Sequence, residues 1–574
     1  MKTPIEIDYK KEMIFKKTKD GKEAISTFSL KKLGDGRTLK PNAQNGKAEY
    51  IMLEIKSGGK TYVDKIRTED FVLLQSFKRK MSFYGTFLGG QKELDRLICV
   101  LHYSTNDKTD YYIASGQFGR YDLDGEDIWI FRNGFYFRDN FYPRKDFLEI
   151  EGEKKKGILF EEGGDGWTCA PVFNENRSIV DYDLAPIQVS LSKFFPNSPI
   201  TMVFIIAFYA STLRYSDFFR ALNINQHPVL FLTGETETGK TELVSLLNSL
   251  IGLSGCPPSS WHTATPFINQ KSAHDFSHLP IWRDEYRSNT GRNDTGKEDF
   301  VRSLYDRSGV VKGRSDLSVS SLPVNSTLII TGEDAPTDTA MQRRCLLIIM
   351  GKEDKVLPEE WFKIKESSLG WFDFFLYVVN QKINPERAKE TYRALVAAFK
   401  PHCKSTETNF AYIITVYLEM FCGDRYEERF EILKTHTIEH NKNNRSYSEI
   451  QENVSVFVEE TLSHIAKNKN IYLKTYVGIS QDEKYIRLWL KGMEELLNKR
   501  EREGKVNSSS LRNQLIKNCK GTICKQKIDG ITRHCVEVGL KIAPECISDL
   551  ALYLEEEEEK IIEEKHDNRK NYGY

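Results

Sequence analysis

The chain lacks a net charge of either sign, because its 574 residues contain 82 lysines and arginines and 82 aspartates and glutamates. This balance excludes a uniformly basic protein that coats nucleic acid, although it permits charge that is segregated between domains. None of the ten cysteines forms a CxxC pair, and no short cluster of Cys and His has zinc-ligand spacing. We therefore expect free thiols in a reducing cytoplasm rather than a zinc module.

Long apolar runs are also lacking. The most apolar stretch, residues 200–210, is too short to span a bilayer and is expected to form a buried helix. The first residues contain no apolar region of a signal peptide, so we expect a cytoplasmic protein without membrane contact. Hydrophobic residues make up 40% of the chain and charged residues 29%, which is typical of a folded protein rather than a disordered one.

Five segments differ in pattern along the chain. Residues 1–185 alternate aromatic and β-branched residues with polar ones, which predicts a β-rich domain. Residues 186–400 alternate helices and strands and predict an α/β core. Residues 401–480 are predicted to be helical, residues 481–550 to mix helix and hairpin, and residues 551–574 to form an acidic tail.

One tight hairpin is predicted inside the β-rich segment. Residues 128–131 and 135–137 are apolar and flank Arg132-Asn133-Gly134. Because Asn-Gly adopts positive φ angles readily, we expect it to supply them in the turn.

A glycine-rich motif follows the predicted strand 229–232 and precedes a predicted helix. It matches GxxxxGK[ST] in full, and its residues are Gly234, Glu235, Thr236, Glu237, Thr238, Gly239, Lys240 and Thr241. In this motif backbone N–H groups form a concavity at a helix N-terminus, where the helix dipole favours phosphate. Lys240 is expected to reach the β- and γ-phosphates, and the Thr241 hydroxyl to ligate a metal ion. ATP and Mg²⁺ are therefore the predicted cofactors.

A second motif, an acidic pair, follows the apolar residues 279–282. Asp284 is expected to hold the Mg²⁺ ion together with Thr241, and Glu285 to polarise the attacking water. Arg283 interrupts the strand that carries the pair, which makes this strand less apolar than is usual.

A third strand, residues 326–333, ends in polar residues. If it lies between the two motif strands, Thr331 or Glu333 would sit beside the γ-phosphate as a sensor, and the sequence does not choose between them. Arg343 and Arg344 precede the next apolar strand, and either would suit an arginine finger that reaches a neighbouring subunit's nucleotide. The alternative for these arginines is a surface salt bridge.

A basic hairpin is predicted between the acidic pair and the third strand. Its tip would carry Lys312 and Arg314, which suits contact with a nucleic-acid backbone. The alternative is a structural hairpin with solvated charges.

The carboxy-terminal segment is locally basic, with seven basic residues and one acidic residue between positions 505 and 533. A short helix at 508–516 and a hairpin around Asp529-Gly530, preceded by a helix near 485–500, predict a winged helix. Its candidate DNA-binding residues are Arg512, Lys517, Lys520, Lys525 and Lys527. The alternative is a lid-like domain with a solvated basic face.

Taken in order, these motifs resemble the AAA+ and superfamily 3 helicase grouping over residues 190–400. The match to the DUF927 family of mobile-element proteins is narrower, and rests on 234–241, on 305–315 and more weakly on Gly116, Trp129 and Gly134. The overall layout is similar to the self-loading, MCM-like replication-initiator helicases (Rep and Cch) of staphylococcal pathogenicity islands and cassette chromosomes.

The resemblance implies a bacterial ATP hydrolase and DNA helicase that works as a hexameric ring on origin duplex and single-stranded DNA. It assigns nucleotide binding to Lys240 and Thr241, hydrolysis to Asp284 and Glu285, and DNA contact in the ring channel to Lys312. Two alternatives remain open. One is a P-loop ATPase of a defence or regulatory system that nucleic acid activates without unwinding, and the other is a scaffold that uses ATP only to assemble.

Overall fold

The computed structural model describes the chain apart from residues 1–4, 40–47, 104–108, 116, 124, 145–146, 151–155, 162–168, 177–181, 235, 288–294, 314–318, 334, 337–338, 352–353, 402–405, 469–470, 481–483, 498–507, 509–510, 513–514, 517–518, 529–530, 541–542, 544–545, 558 and 560–574. The chain divides into two compact units. The first comprises residues 1–334, 340–394 and 408–429, and the second comprises residues 335–339, 395–407 and 430–574. Among the described helices, none combines the length and the apolar character that crossing a bilayer requires.

The amino-terminal part of the first unit is built mostly of strands. Its elements are β1 (Ile5–Asp8), β2 (Met13–Thr18), β3 (Gly21–Ala24), β4 (Ser29–Thr38), β5 (Tyr50–Ser57), β6 (Lys60–Arg67), α1 (Thr68–Val72), α2 (Leu74–Met81), α3 (Gln91–Tyr103), β7 (Thr109–Ser115), β8 (Phe118–Leu123), β9 (Glu126–Phe131), β10 (Gly134–Phe137), β11 (Asn140–Pro143), β12 (Phe147–Ile150) and β13 (Lys156–Glu161). One sheet has the order β1-β2-β3 and another the order β12-β13-β7-β4-β5-β6. Helix α3 presents Leu94, Leu97 and Leu101 at helical spacing to a core that includes Phe28 and Phe77.

The predicted hairpin forms, but not for the predicted reason. Phe131 pairs with Gly134, so the two-residue turn is Arg132-Asn133, and none of these turn residues has a positive φ. Gly134 is needed because a Cβ atom there would lie 2.2 Å from the carbonyl oxygen of Tyr142 on β11. The positive φ angles occur instead at Arg138 and Asp139, which join β10 to β11.

The rest of the first unit alternates helices and strands. Its elements, of which α9, α12 and α13 extend by one to five residues into segments assigned to the second unit, are α4 (Ala185–Leu191), α5 (Pro199–Leu222), β14 (Val229–Thr233), α6 (Lys240–Leu247), β15 (Ser259–Ser260), α7 (Pro266–Asp275), β16 (Phe276–Ser277), β17 (Pro280–Tyr286), α8 (Thr295–Tyr305), β18 (Val310–Gly313), β19 (Val319–Leu322), β20 (Thr327–Gly332), α9 (Thr339–Gln342), β21 (Cys345–Ile349), α10 (Pro358–Ser367), α11 (Asp373–Asn380), α12 (Pro385–Phe399) and α13 (Glu407–Phe421). The apolar run 200–210 lies inside α5 and is almost wholly buried, as predicted.

A five-stranded parallel sheet positions the candidate site. Its order is β15-β17-β20-β14-β21, so β20 lies between the strand before the glycine-rich loop and the strand of the acidic pair. Strands β14 and β20 are buried along their whole length, which explains their continuous apolar sequence. Because all the strands are parallel, their carboxyl ends share one edge, and polar residues that follow different strands can meet there.

A short parallel pairing joins the two parts of the first unit. Strand β16 pairs with β8, which extends the sheet β11-β10-β9-β8 by one strand. Gly119 on β8 has a φ of +94°, and a Cβ atom there would lie 1.7 Å from the carbonyl oxygen of Ser277. Arg120 continues the junction, because it bonds both carboxylate oxygens of Asp217 on α5 at 2.7 and 2.9 Å.

The second unit carries a four-stranded antiparallel sheet. The long helix α14 (Tyr426–Lys467) leads into it, and β22 (Val477–Ile479), β23 (Tyr485–Leu488), α15 (Leu490–Leu497), β24 (Thr522–Ile528) and β25 (Ile531–Gly539) follow. The sheet order is β22-β23-β25-β24, and residues 546–557 are helical. Core side chains include Phe457, Ile486, Met493, Leu515 and Ile547.

Two local predictions can be compared in this unit. The helix expected near 485–500 is partly wrong, because Tyr485–Leu488 alternates buried with exposed or half-buried residues and pairs with β25 as a strand. The hairpin around residues 529–530 forms, since Ile528 pairs with Ile531, although the two turn residues themselves lie outside the described part.

The expectation of free thiols is wrong for one pair. Cys169 and Cys256 form a disulfide with their Cα atoms 5.2 Å apart, although 87 positions separate them in sequence. The pairing arises because Val172 donates its N–H to the carbonyl oxygen of Gly252 at 2.8 Å, which brings the two segments together. Of the remaining described cysteines, all seven are free.

Candidate active site

The glycine-rich loop lies at the carboxyl edge of the parallel sheet, between β14 and α6. Gly234 has a φ of +152°, and a Cβ atom there would lie 2.1 Å from the carbonyl oxygen of Met350. Gly239 has a φ of +90° and directly precedes the first turn of α6. The loop therefore needs glycine at both positions, and it ends at a helix N-terminus where the dipole favours an anion.

Lys240 folds back across the loop. Its Nζ atom donates to the carbonyl oxygen of Gly234 at 2.7 Å and to Oγ1 of Thr238 at 3.1 Å, and the side chain is buried. Both acceptors are neutral, so phosphate oxygens can replace them with a gain in electrostatic energy. Thr236 and Glu237 are exposed on the loop, whereas Glu235 lies outside the described residues.

Asp284 on β17 connects this strand to helix α6 and to strand β20. The Thr241 hydroxyl donates to its Oδ2 atom at 3.1 Å, and the Thr331 hydroxyl donates to its Oδ1 atom at 2.5 Å. The Trp282 indole in turn donates to Thr331 Oγ1 at 2.9 Å. The Thr241 hydroxyl and the Asp284 carboxylate are oxygen ligands of the kind that Mg²⁺ prefers, and their contact puts both beside the loop. These residues therefore fit a Mg²⁺ ion.

The two sensor candidates occupy different positions. Thr331 is fully buried and contacts Asp284, whereas Glu333 is exposed and accepts from the Thr236 hydroxyl at 2.9 Å. Arg287 forms an ion pair with Glu333 at 3.5 Å. Thr331 thus contacts the acidic pair, whereas Glu333 contacts the glycine-rich loop through Thr236.

Glu285 projects into solvent from an irregular strand end. Strand β17 has a bulge between Arg283 and Tyr286, and Glu285 has a φ of +65°. Its N–H donates to Asp284 Oδ1 at 2.8 Å, and its side chain is exposed. Non-glycine residues in the left-handed region carry a conformational cost and cluster at functional sites. The bulge leaves this carboxylate accessible to a water molecule.

Arg283 is a buried partner of α7 rather than a break in the strand. It is 3% exposed, and its Nε atom donates to Asn269 Oδ1 at 2.8 Å. Further bonds run to the Trp282 carbonyl oxygen at 3.2 Å and to Ser272 Oγ at 3.4 Å. Burial lowers the pKa of the Arg283 guanidinium to about 10. Sequence alone did not indicate this role, because Asn269 and Ser272 lie on another element.

The two arginines before β21 differ in their surroundings. Arg344 donates to the Ala340 carbonyl oxygen at 2.8 Å, pairs with Asp306 at 3.5 Å and lies over the Tyr305 ring. Arg343 is exposed, and no described residue forms an ion pair or hydrogen bond with its guanidinium. Arg344 thus has an intramolecular role, and Arg343 remains accessible.

Neither arginine can reach the loop of its own chain. Strands β14 and β21 are parallel with Val229 opposite Cys345, so residues before β21 lie at the amino edge of the sheet. The loop lies at the carboxyl edge, about 17 Å away for five residues at about 3.3 Å each. Both arginines therefore lie at the edge of the sheet opposite to the loop of their own chain.

An apolar cavity of about 180 Å³ adjoins the loop. Gly239 and Glu242 form one side of it, and the other lining residues are Phe194, Met350, Lys355, Val356, Pro358, Trp361 and Phe362. Sequence reasoning missed this cavity. The adjacent aromatic residues Trp361 and Phe362 were a possible signal, but Phe194 comes from a position more than 160 residues earlier.

The predicted nucleic-acid residues are described only in part. Lys312 lies on β18, where its backbone pairs with Ser320, but its side chain is outside the described part of the structure. Arg314 lies outside the described residues altogether. In the second unit, exposed side chains are Arg512, Lys520, Lys525 and Lys527, and Lys517 lies outside the described part. Lys525 and Lys527 share one face of β24, as their spacing of two requires.

Comparison with known protein families found no match, and no curated protein matches the chain. Among solved structures, the SCCmec type IV Cch helicase is 13% identical with a TM-score of 0.46, over 94% of this chain and 98% of that one. The NrS-1 C-terminal region is 12% identical with a TM-score of 0.30, over 86% and 95%. JCV helicase is 11% identical with a TM-score of 0.20, over 44% and 60%. We therefore infer the function from the chain's own residues.

Replacing Thr331 by valine tests the contact with Asp284. Valine keeps the shape but removes the hydroxyl, which leaves the buried Trp282 N–H without its acceptor. We expect ATP turnover to fall about tenfold and the free energy of unfolding to fall by about 1–3 kcal/mol. Steady-state turnover and denaturant unfolding measure the two effects. Thr331→Ser is the matched control and should retain turnover; an unchanged rate in Thr331→Val would contradict the assignment.

Proposed function

We propose that the chain is an ATP-dependent DNA helicase and replication initiator of a mobile genetic element, with an AAA+ core that works as a ring, most simply a hexamer. The observation that carries the proposal is the hydrogen-bonded chain from Thr241 through Asp284 to Thr331 beside the loop. It joins the glycine-rich loop, the acidic strand and the strand between them into one site for a nucleoside triphosphate with Mg²⁺.

In the proposed reaction, each side chain has one task. Lys240 exchanges its bonds to Gly234 and Thr238 for bonds to the β- and γ-phosphates. Thr241 and Asp284 hold the Mg²⁺ ion, which supplies charge neutralisation to the phosphates when it is bound. Glu285 orients the attacking water and accepts its proton, and it is accessible because the bulge turns it toward solvent.

The apolar cavity beside the loop suits the nucleobase of ATP. Gly239 and Glu242 belong to the loop and its helix, so a nucleotide whose phosphates occupy the loop has its base near this cavity. The Trp361 ring offers a flat apolar surface to a purine, and the Met350 thioether a polarizable one.

The positions of the arginines support a ring with shared sites. We propose Arg343, rather than Arg344, as the finger, because its guanidinium is exposed while Arg344 is held by Asp306 and Ala340. A head-to-tail interface would bring the amino edge of one sheet to the loop of the next subunit.

A mixing experiment tests the shared site. We expect Arg343→Ala to lower turnover at least about 100-fold, because the charge on the transferred phosphoryl group loses its partner. Mixed in equal amounts with Lys240→Ala, itself inactive, it should recover about a quarter of the wild-type rate, since random assembly completes that fraction of interfaces. Arg344→Ala is the control and should lose stability without such recovery. No recovery in the Arg343 mixture would contradict a finger supplied by a neighbour.

For the nucleic acid, we propose the β18–β19 hairpin with Lys312 and Arg314 as the contact with single-stranded DNA in the ring channel. The basic part of the second unit, with Arg512, Lys517, Lys520, Lys525 and Lys527, is proposed as a winged-helix reader of the origin duplex. The boundaries proposed for the domains are 1–185, 186–400, 401–480, 481–550 and 551–574. Exposure of the described basic residues supports this assignment.

A strand-displacement assay on a forked duplex tests the function. We expect ATP-dependent separation of the strands by the wild-type protein and none by Glu285→Gln. Turnover of ATP without strand separation would instead favour a P-loop ATPase that nucleic acid regulates. Assembly on DNA that requires ATP binding but no turnover would favour a scaffold.

A further inference from the structure

The β18–β19 hairpin leaves and re-enters the core at two neighbouring points. Helix α8 ends at Tyr305 just before the hairpin, and β20 begins at Thr327 just after it. Arg307 stands at the first point and Ser326 at the second. The Arg307 Nη1 atom donates to the carbonyl oxygen of Ser326, so this hydrogen bond closes the base of the hairpin.

The Arg307 guanidinium is held mainly by an aromatic stack. It lies 3.9 Å from the ring centre of Tyr215 on α5, and the His278 ring lies 3.9 Å from the same centre at an interplanar angle of 9°. Two groups at this distance must cover opposite faces of the Tyr215 ring. Burial lowers the pKa of His278 well below its usual value, so the imidazole is neutral and does not repel the stacked cation.

This arrangement is not the most stable way to fill the site. The Nε and Nη2 atoms of Arg307 are inaccessible to solvent and have no hydrogen-bond partner among the described residues. Each buried donor without an acceptor destabilises the fold, and no described carboxylate pairs with the charge. An apolar side chain of similar volume would give a higher free energy of unfolding, so stability does not account for an arginine at this position.

The second end of the hairpin is fixed to the same elements. The carbonyl oxygen of Asn325 accepts from the Tyr215 hydroxyl at 2.9 Å and from the backbone N–H of His278 at 2.8 Å. The Ser326 N–H donates to the Ala273 carbonyl oxygen on α7 at 3.1 Å. Both ends of the hairpin are therefore held by Tyr215 and the residues that pack against it, so a movement of one end displaces the other.

The hairpin base is also continuous with the candidate active site. Ser326 directly precedes β20, and Thr331, five residues further, donates to Asp284. A buried strand paired on both sides transmits displacement along its axis, because its backbone is already extended. Displacement of residue 326 would thus reach the Thr331 hydroxyl.

We propose that Arg307 is a positioning residue that couples the hairpin to ATP hydrolysis, by locking residue 326 and strand β20 to the Tyr215–His278 stack. The proposal rests on the helicase function proposed above. We call the Arg307–Ser326 hydrogen bond together with the Tyr215–His278 stack the clasp. When a DNA strand pushes or pulls the hairpin, the clasp transmits the displacement to Thr331 and Asp284, so the hairpin does not move alone.

The test compares coupling, not activity alone. In Arg307→Lys the charge stays but the planar stack is lost. We expect basal ATP turnover within about twofold of wild type, stimulation by single-stranded DNA reduced about fivefold, and ATP consumed per base pair unwound raised about tenfold. Arg302→Ala removes a half-buried arginine of α8 that pairs with Asp299, and as the control it should leave all three quantities unchanged.

A double substitution separates coupling from a local structural effect. If Arg307 acts through the hairpin, Arg307→Lys combined with Lys312→Ala should be no worse in unwinding than the more affected single variant, whereas independent effects would multiply. Should Arg307→Lys fail to fold, Tyr215→Leu and Tyr215→Phe provide the same comparison. Leucine removes the stack and should uncouple. Phenylalanine keeps the ring and loses only the hydroxyl bond to Asn325, whose carbonyl oxygen still accepts from the backbone N–H of His278, so coupling should be retained.

The outcomes distinguish this proposal from the function on which it rests. Absence of unwinding by the wild-type protein would contradict the helicase function. Wild-type unwinding together with an unchanged ATP cost per base pair in Arg307→Lys, or in Tyr215→Leu if that variant is used, would overturn the clasp and leave the helicase function intact.

Discussion

Replacing Lys240 by alanine is expected to abolish ATP hydrolysis, with turnover lowered about 1,000-fold or more. The Lys240 ammonium is the only lysine charge of the glycine-rich loop, and in this structure it is held over the loop by the Gly234 carbonyl oxygen and the Thr238 hydroxyl. Alanine leaves the backbone N–H groups but removes the cation that the β- and γ-phosphates require. Nucleotide binding, measured by equilibrium titration with ATP and Mg²⁺, should become undetectable at concentrations that saturate the wild-type protein.

The control for this substitution is Lys382→Ala, which removes an exposed lysine of the same unit far along the chain from the loop. It should bind and hydrolyse ATP at the wild-type rate. Lys240→Ala should lower the free energy of unfolding by no more than about 1–3 kcal/mol, because the Gly234 carbonyl oxygen and the buried Thr238 hydroxyl lose their donor. Hydrolysis that persists in Lys240→Ala would contradict the assignment of the loop.

Replacing Glu285 by glutamine is expected to separate binding from hydrolysis. Glutamine preserves size and shape but cannot accept the proton of the attacking water, so turnover should fall about 100- to 10,000-fold. Affinity for ATP should stay within about threefold, because Glu285 contacts neither the loop nor Asp284 through its side chain. A single-turnover assay beside an equilibrium titration measures both quantities.

Glu390→Gln on α12 is the matched control, since it changes an exposed glutamate away from the sheet edge. It should leave turnover unchanged. If Glu285→Gln hydrolyses ATP at more than about a third of the wild-type rate, the general base lies elsewhere. Strand separation that persists in Glu285→Gln would contradict the proposed mechanism as a whole.

The parts of the site that sequence predicts best are contiguous. The eight residues 234–241 carry their own geometry, because glycine at fixed positions permits the backbone angles that a strand-to-helix turn requires. The flanking apolar runs indicate a buried strand and a helix by their periods alone. The structure has the loop between β14 and α6, at the edge that the parallel strands share.

Prediction becomes weaker where two elements must meet. Thr331 and Glu333 are two positions apart and looked equivalent in sequence, yet only Thr331 contacts Asp284, because β20 pairs directly with β17. Arg343 and Arg344 are adjacent, and only the packing of Arg344 against Tyr305 and Asp306 tells them apart. The prediction that Asn133-Gly134 supplies positive φ angles is wrong as well. Glycine is needed at 134 because the Tyr142 carbonyl oxygen approaches it closely, and this is a contact with another strand.

Several features had no signal in the sequence. The disulfide between Cys169 and Cys256 depends on two segments that meet beyond the end of α6. The stack of Arg307 on Tyr215 and His278 draws its three members from a turn, a helix and the residue after a short strand. In the sequence Arg283 only interrupts an apolar strand, because its hydrogen-bond partners lie on α7, a separate element.

By itself, the sequence determined a glycine-rich strand-to-helix turn, an alternating α/β core and the absence of a net charge, because composition and contacts between near neighbours depend only on the order of residues. The tertiary structure alone decided which threonine meets the acidic pair, which arginine is exposed and how the basic hairpin is attached to the strand that leads to the candidate active site. Those choices depend on strand order and on side chains that lie up to several hundred positions apart, and only the packing of the whole core brings them within hydrogen-bond distance.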